Sequence, residues 1–172
     1  ALMAVRELVE LVSRVAELER RFAGVLRHGT VAEVDPERQR VRLDLGPAHG
    51  AGGRFLSPWV PYAQFSGALR VHTPPTVGQQ LTAMSPSGDF QQAVALPLTH
   101  HTGNPSPSTA GDENVVTYGN VRMTLADDLV RVDVGGTQFE LTSAKITLST
   151  GGSSIEMTDA GVKVTGARID LN

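Results

Sequence analysis

The chain contains no cysteine, few aromatic residues and no long apolar run, and each of these absences excludes a class of protein. Without cysteine there is no disulfide, no thiolate metal site and no cysteine nucleophile. No stretch approaches the roughly 18 consecutive apolar residues that a membrane-spanning helix needs. Aromatic residues make up only 5% of the 172 residues, fewer than a globular enzyme of this size usually places in its core.

An excess of positive charge is also lacking. The net charge is −3, which argues against a nucleic-acid-binding protein that relies on bulk positive charge. Residues 1–99 hold 10 arginines and 9 acidic residues, whereas residues 112–172 hold 5 basic and 9 acidic residues, and neither part has a polybasic block. The composition therefore predicts no nucleic-acid partner.

One amphipathic helix is predicted at the N-terminus, over residues 2–23, with Gly24 as its stop. Apolar residues recur there at alternating spacings of four and three, the heptad pattern of a coiled coil. They are Ala4, Leu8, Leu11, Val15, Leu18 and Phe22. Val9 and Val12 widen the apolar stripe. The pattern fits a helix packed on its own domain, and it fits equally a helix that self-associates or docks on a partner.

Residues 25–98 have the pattern of short strands separated by turns. Strands are predicted at 30–34, 40–45, 59–64, 77–85 and 90–98, with turns at 35–38 and 86–89. Five short strands in this length predict a small Greek-key barrel of the OB type, and a sandwich fragment is the alternative. Residues 99–113 are rich in Ser, Thr, Gly and Pro, which predicts a linker.

Residues 114–172 form a series of very short strands. Each carries two or three apolar residues at period two, and turns such as Gly135-Gly136 separate them. A segment with only Tyr118 and Phe139 as aromatic residues cannot bury enough surface alone. The pattern therefore predicts an intertwined, triple-stranded β-helix of identical chains, with one apolar row packed on the trimer axis. The predicted axis residues are Val121, Met123, Leu125, Val130, Val132, Val134, Phe139, Leu141, Ile146, Leu148, Ile155, Met157, Val162, Val164, Ile169 and Leu171.

Candidate chemical sites are few. The sequence has no nucleophile elbow, no phosphate-binding loop and no His-Glu-x-x-His helix, so we expect no enzyme, no catalytic residue and no cofactor. His100 and His101 lack a third ligand at metal-site spacing, which favours a solvated linker over a metal site. Asp127-Asp128 fits a β-turn better than a carboxylate pair.

The aromatic residues of the predicted barrel also suggest a possible oligonucleotide platform. Trp59, Tyr62 and Phe65 occur at spacing three, and only Arg54 and Arg70 lie near them in sequence. A stacking platform needs more basic neighbours than this. We therefore expect these rings in the core or in a trimer interface.

Several segments in order resemble the baseplate assembly protein V family, the central spike of Mu-like contractile phage tails. They are residues 29–35 (GTVAEVD), 58–61 (PWVP), 75–80 (PTVGQQ), 93–97 (AVALP) and 103–108 (GNPSPS), followed by the strand repeat. The resemblance implies a homotrimer, an OB-fold and a β-helical spike that points at the host envelope. Spike proteins of secretion systems share that plan.

The resemblance also implies partners at both ends of the spike. A tail hub protein is expected at the N-terminal helix, on Leu8, Leu11, Val15, Leu18 and Phe22. Longer family members end in a tip whose His-x-His pairs hold a metal, but here no histidine lies beyond position 101, so no metal is expected. A separate tip protein is expected on Ala167, Ile169, Leu171 and Asn172, with a longer natural chain as the alternative.

The sequence thus predicts a mainly β protein in four parts. These are an N-terminal helix (1–24), an OB-fold domain (25–98), a linker (99–113) and a β-helical spike (114–172). The predicted function is that of a trimeric structural spike in the tail baseplate of a virion, assembled in the host cytoplasm, that pierces the host outer envelope on contraction. A trimeric tail-fibre protein that binds or depolymerises carbohydrate is the alternative.

Overall fold

The computed structural model describes residues 2–47 and 52–169, which form one α-helix and thirteen short β-strands. They divide into two compact units, Ala1–Pro105 and Ser106–Asn172. In the first unit the elements are α1 (Leu2–Val25), β1 (Leu26–Asp35), β2 (Arg40–Pro47), β3 (Arg54–Leu56), β4 (Val60–Pro61), β5 (Gln80–Met84), a 3-10 turn (Phe90–Gln92) and β6 (Val94–Pro97). In the second unit they are β7 (Glu113–Tyr118), β8 (Val121–Ala126), β9 (Leu129–Val134), β10 (Thr137–Leu141), β11 (Lys145–Thr150), β12 (Ser153–Thr158) and β13 (Gly161–Thr165).

Helix α1 continues past its predicted stop and runs directly into β1. Gly24 lies inside the helix rather than after it. A Cβ atom at Gly24 would come within 2.6 Å of the carbonyl oxygen of Gly88, so the glycine permits close packing of the last helical turn on the 85–89 turn. The backbone N–H of Ser85 donates to the carbonyl of Val25 at 2.8 Å and satisfies one helix-end acceptor.

The first unit contains an OB-type sheet with strand order β3-β2-β1-β5-β6, and β4 pairs with β2. Alternation along β2 turns Val41 and Leu43 into the core, where both are fully buried. The core residues are Val31, Val41, Leu43, Val60, Tyr62, Leu81, Ala83, Ala93 and Ala95. Among the described residues the strands form an open path and not a closed barrel. A single bridge between Tyr62 and Ala95 links the segment after β4 to β6.

Three of the predicted strands of this unit are shorter than expected. The segment 59–64 is a strand only at Val60–Pro61, since Pro61 has no N–H to donate to a ladder. The segment 77–85 begins its strand at Gln80 because Gly78 has a φ of +87°, which turns the chain before it. The segment 90–98 opens as a 3-10 turn, in which the carboxylate of Asp89 accepts from the N–H of Gln91 at 2.9 Å.

The second unit is a seven-stranded antiparallel meander, in order from β13 to β7. Gly119, Gly135 and Gly151 open the turns on one side of the sheet, with φ between 53° and 58° that glycine adopts without strain. These three glycines are 16 residues apart, so the true repeat is a hairpin of two strands. As predicted, Asp127-Asp128 is a turn on the other side.

The predicted linker, residues 99–113, makes hydrogen bonds near both of its ends, at its start within the first unit and at its end within the second. The ring of His101 contacts the carbonyl of Gly78 through Nε2 at 3.1 Å, within the first unit. In the second unit Arg122 donates to the carbonyl of Pro107 at 3.0 Å and pairs with Glu113 at 3.5 Å. The hydroxyl of Ser108 donates to the same carboxylate. Residues 99–113 therefore make side-chain contacts at each end, and the boundary between the two units lies between Pro105 and Ser106. We call the contacts among Ser108, Glu113 and Arg122 the clasp.

Candidate functional site

The strand register of the second unit builds one continuous row of apolar side chains across the whole sheet. Residues that pair directly in an antiparallel ladder point to the same face. One residue of each strand contributes, and every one of the seven is apolar. This central row consists of Val116, Met123, Val132, Phe139, Leu148, Ile155 and Val164.

A second row runs beside the central row on the same face. It consists of Leu125, Val130, Leu141, Ile146, Met157 and Val162. Val121 pairs with Val134 at the other margin of the face. Fourteen of the sixteen predicted axis residues therefore share one face; Ile169 lies after β13, and Leu171 falls outside the described residues.

This apolar face is poorly covered within one chain. Its ten most open predicted axis residues in β8–β13 keep between 37% and 65% of their surface exposed. An apolar surface of this breadth on a sheet marks an interaction site rather than an ordinary solvent face. We call it the apolar sheet face.

The opposite face of the same sheet is polar and internally paired. Arg131 lies directly opposite Glu140, and Glu156 lies opposite Lys163. Lys145 Nζ also contacts Glu140 Oε1 at 3.3 Å. Opposite charges across neighbouring strands stabilise such a face in water. The predicted alternation of apolar and polar residues is therefore present in the strands.

Two members of the apolar sheet face escaped the sequence interpretation. Strand β7 was not predicted, because Val115 and Val116 are adjacent and hide the alternation. Its register nevertheless places Val116 opposite Met123 and Tyr118 opposite Val121. The 16-residue spacing of the turn glycines, read back from Gly135 to Gly119, is the signal that finds this strand.

Helix α1 presents a second exposed apolar surface. Leu8, Leu11, Val15, Leu18 and Phe22, predicted to contact a hub, keep 46–82% of their surface exposed. The interpretation of a helix packed on its own domain is therefore wrong for this face. We call these five residues the α1 seam.

The polar side of α1 is held by ion pairs within the helix. Glu17 contacts Arg20 at 2.8 Å and Arg21 at 2.7 Å, and Glu10 contacts Arg14 at 2.9 Å. Hydrogen bonds from Arg20 and then Arg21 lower the pKa of Glu17 from 4.5 to about 2. All of these groups are solvent-exposed, so the pairs contribute little to stability and serve mainly to keep this side hydrated.

The aromatic residues of the OB-type domain do not share one environment. Tyr62 is buried in the core, one of the two places expected for these rings, and among the described residues its hydroxyl has no hydrogen-bond partner. Trp59 is 40% exposed beneath Arg42, whose guanidinium carbon lies 5.9 Å from the ring centre. Phe65 is 70% exposed. The burial of Tyr62 removes the middle ring from any stacking platform.

His101, the second residue of the histidine pair, makes structural contacts. His101 Nδ1 accepts from the N–H of Gly103 at 3.2 Å while Nε2 faces the carbonyl of Gly78, so both ring nitrogens are engaged. Within residues 2–47 and 52–169 no three His, Asp or Glu side chains form a group suited to a metal ion. The described chain also has no helix long and apolar enough to cross a membrane.

Comparison with known proteins bears on the OB-type domain. Residues 27–100 match the family described as the type VI secretion system/phage-baseplate injector OB domain. The OB-type domain of this chain therefore resembles the phage-baseplate injector OB domain. A relative is the spike protein of Escherichia phage P2, which is 29% identical over 101 residues, or 59% of this chain. The match covers 45% of that relative, so it spans about half of the P2 protein's length.

These matches confirm the resemblance inferred from the sequence and the OB type of the domain. The phage baseplate named by the family and the spike protein named by the relative agree with the predicted location in a virion tail baseplate. The family match ends at residue 100, before the apolar sheet face begins. The role of that face therefore rests on its own geometry.

Proposed function

We propose that this chain is the structural central spike of a contractile phage tail baseplate. It acts as a homotrimer that is attached to the tail hub and pierces the host outer envelope during contraction. The observation that carries the proposal is the central row, seven directly paired apolar side chains of which five are exposed, on one face of a sheet that follows a domain similar to the phage-baseplate injector OB domain.

Two further copies of the chain are the proposed cover of the apolar sheet face. Burying the exposed half of an aliphatic side chain contributes about 1 kcal/mol, so three central rows give on the order of 20 kcal/mol. A trimer needs two associations that cost about 4–15 kcal/mol each, so the central rows give a gain comparable with this cost and the second apolar rows add to it. In the proposed trimer the three sheets wrap into a triple-stranded β-helix with the apolar faces on the axis and the charged faces in water.

The polar face supports this arrangement over a stack of sheets. Arg131, Glu140, Glu156 and Lys163 form directly opposed pairs that remain hydrated only if this face stays outside. A three-fold axis also needs one apolar face per chain, which is what each chain offers. The four parts 1–24, 25–98, 99–113 and 114–172 then serve as hub contact, collar, connection and shaft.

The proposed hub contact is helix α1, through the α1 seam of Leu8, Leu11, Val15, Leu18 and Phe22. The exposure of this seam next to a folded OB-type domain supports a partner there. The host envelope is contacted only transiently. We propose no enzymatic activity, no cofactor and no nucleic-acid partner.

The proposed docking site for a separate tip protein is the edge of the sheet formed by β13, together with the residues that follow this strand. Strand β13 is an outer strand of the meander, and Val162 and Val164 on it are half-exposed or more. Ala167 and Ile169 follow this strand, with Ile169 50% exposed. Leu171 and Asn172, also predicted for this site, fall outside the described residues.

Labelling of assembled particles tests the proposed function. Antibodies raised against residues 106–169 should mark a single point at the baseplate end of the tail, and contraction should bring that point to the cell surface first. Labelling along fibres at the side of the baseplate would instead support the alternative, a tail-fibre protein that binds carbohydrate.

A further inference from the structure

The α1 seam has the spacing of a coiled coil and not only that of a general apolar face. We propose that the α1 helices of three copies form a parallel, in-register three-helix coiled coil through the α1 seam. Copies of the chain then cover the seam, and the hub contacts the outer side of the helical bundle instead of the seam itself. This proposal rests on the proposed trimer and adds a second association site to it, separate from the apolar sheet face.

The five seam residues occupy the a and d positions of a heptad repeat. Leu8, Val15 and Phe22 occupy the a positions of consecutive heptads, and Leu11 and Leu18 occupy the d positions. The five side chains lie on one side of a continuous helix from Leu2 to Val25. A seam that is strict over this length packs against a matching helix, and a second copy supplies that match by identity.

The OB-type domain that follows α1 does not cover the seam. Only the last turn of α1 is fixed, through Val25, Gly24 and the 85–89 turn. The seam residues remain 46–82% exposed although a folded core lies at the end of the helix. A helix held at one end, with its seam open along its length, is placed to meet equivalent helices around a three-fold axis.

Two residues of opposite charge, Arg14 and Glu19, flank the seam. In a parallel coiled coil a g residue faces the e residue five positions later in the next helix. Arg14 is at g and Glu19 is at e, so each helix offers one attractive pair to the next. In the described structure Glu19 makes no ion pair of its own. An antiparallel arrangement would instead bring Arg14 close to Arg14 of another copy.

The width of the apolar stripe on α1 indicates how many helices the bundle contains. A two-stranded coiled coil needs a narrow seam of a and d residues only. Here Val5 and Val12 occupy e positions and are exposed valines beside the seam. In a three-helix bundle each helix contacts two neighbours and covers more of its e positions. The wider stripe therefore fits three copies, in agreement with the symmetry proposed for the sheet.

Cysteine cross-linking of the full chain tests this proposal, because the natural sequence has no cysteine to interfere. A disulfide forms only when two Cα atoms come within about 7 Å. Leu18→Cys should give a covalent dimer and a remaining monomer on a non-reducing gel, since a three-fold layer joins two of its three thiols. Leu11→Cys should behave in the same way.

The matched control is Ser13→Cys, which lies near Leu11 in sequence but on the outer side of the helix, where its hydroxyl contacts only the Val9 carbonyl. It should give no covalent dimer under the same oxidation. An antiparallel bundle would give no product for Leu18→Cys alone, and that result would overturn the parallel arrangement.

Measurement of mass separates this proposal from the proposed function. A particle of three chains in which Leu11→Cys and Leu18→Cys cross-link no better than Ser13→Cys would overturn the coiled coil and leave the trimeric spike standing, with the hub as the cover of the seam. A single chain in solution would overturn both. Three chains with selective cross-linking at Leu11 and Leu18 support both.

Discussion

Phe139 lies directly opposite Leu148 on the neighbouring strand, and the pair stands in the middle of a row that contains one apolar side chain from every strand of the sheet. The row is complete because each hairpin turn keeps the same side-chain parity. A shift by one residue at any turn would place the strands on its two sides out of parity, so that the part of the row beyond that turn would move to the charged face. The turns therefore decide whether the apolar sheet face exists.

Substitution of Met157 by aspartate should disrupt the trimer. Three buried carboxylates around one axis cost several kcal/mol per ion even after relaxation. Thr158→Asp is the matched control, because Thr158 is the next residue, faces the polar side and lies opposite Lys145. Thermal unfolding and mass should change strongly for Met157→Asp only. Equal effects of the two substitutions would show that the assignment of faces is wrong.

Removal of the buried hydroxyl of Tyr62 should not destabilise the OB-type domain. This hydroxyl has no partner within residues 2–47 and 52–169, and an unpaired buried hydroxyl costs about 1–3 kcal/mol. Tyr62→Phe is therefore expected to raise the free energy of unfolding by about 1 kcal/mol. The control is Tyr118→Phe, since the ring of Tyr118 is 87% exposed. A loss of stability in Tyr62→Phe would mean that the hydroxyl is in fact hydrogen-bonded.

Glu113 should hold the segment 106–112 against the second unit. Its carboxylate accepts from Ser108 and pairs with Arg122, so Glu113→Gln weakens both contacts. We expect faster cleavage of this segment by a non-specific protease, with an unchanged mass of the assembly. Glu156→Gln, on the same face but away from the segment, is the control. Equal cleavage rates would show that the clasp does not order the segment.

The stability of α1 should depend on pH through Glu17. Because its pKa is lowered from 4.5 to about 2 by hydrogen bonds from Arg20 and Arg21, its stabilising effect is present above about pH 4.5 and is lost as the pH falls towards 2. Helix content measured by circular dichroism should fall less over this interval in Glu17→Gln than in the natural chain. High salt should reduce the difference, since these groups are exposed.

Periodic parts of this chain were predictable and irregular parts were not. The heptads of α1 and the alternation from Val121 to Val164 follow directly from side-chain spacing, and both are present in the structure. Strand β3 was missed, because three residues after a glycine-rich loop carry no periodicity. The sequence predicts Gly24 as a helix stop, but its role is a close contact with Gly88 that no local pattern reveals.

The assembly surfaces were predictable for a different reason. Apolar residues without an internal partner are visible in the sequence once the strands are placed, because the chain has too few large side chains to cover them. The clasp between Ser108, Glu113 and Arg122 was not predictable, since it joins a strand to a segment that has linker composition. Contacts of single polar side chains depend on the final register, which composition does not fix.

The proposed function requires that three copies of this chain cover the apolar sheet face together. Native mass spectrometry of the purified chain measures this most directly. We expect one dominant species with the mass of three chains of 18.2 kDa each, persisting on dilution. A folded species with the mass of a single chain at micromolar concentration would contradict it.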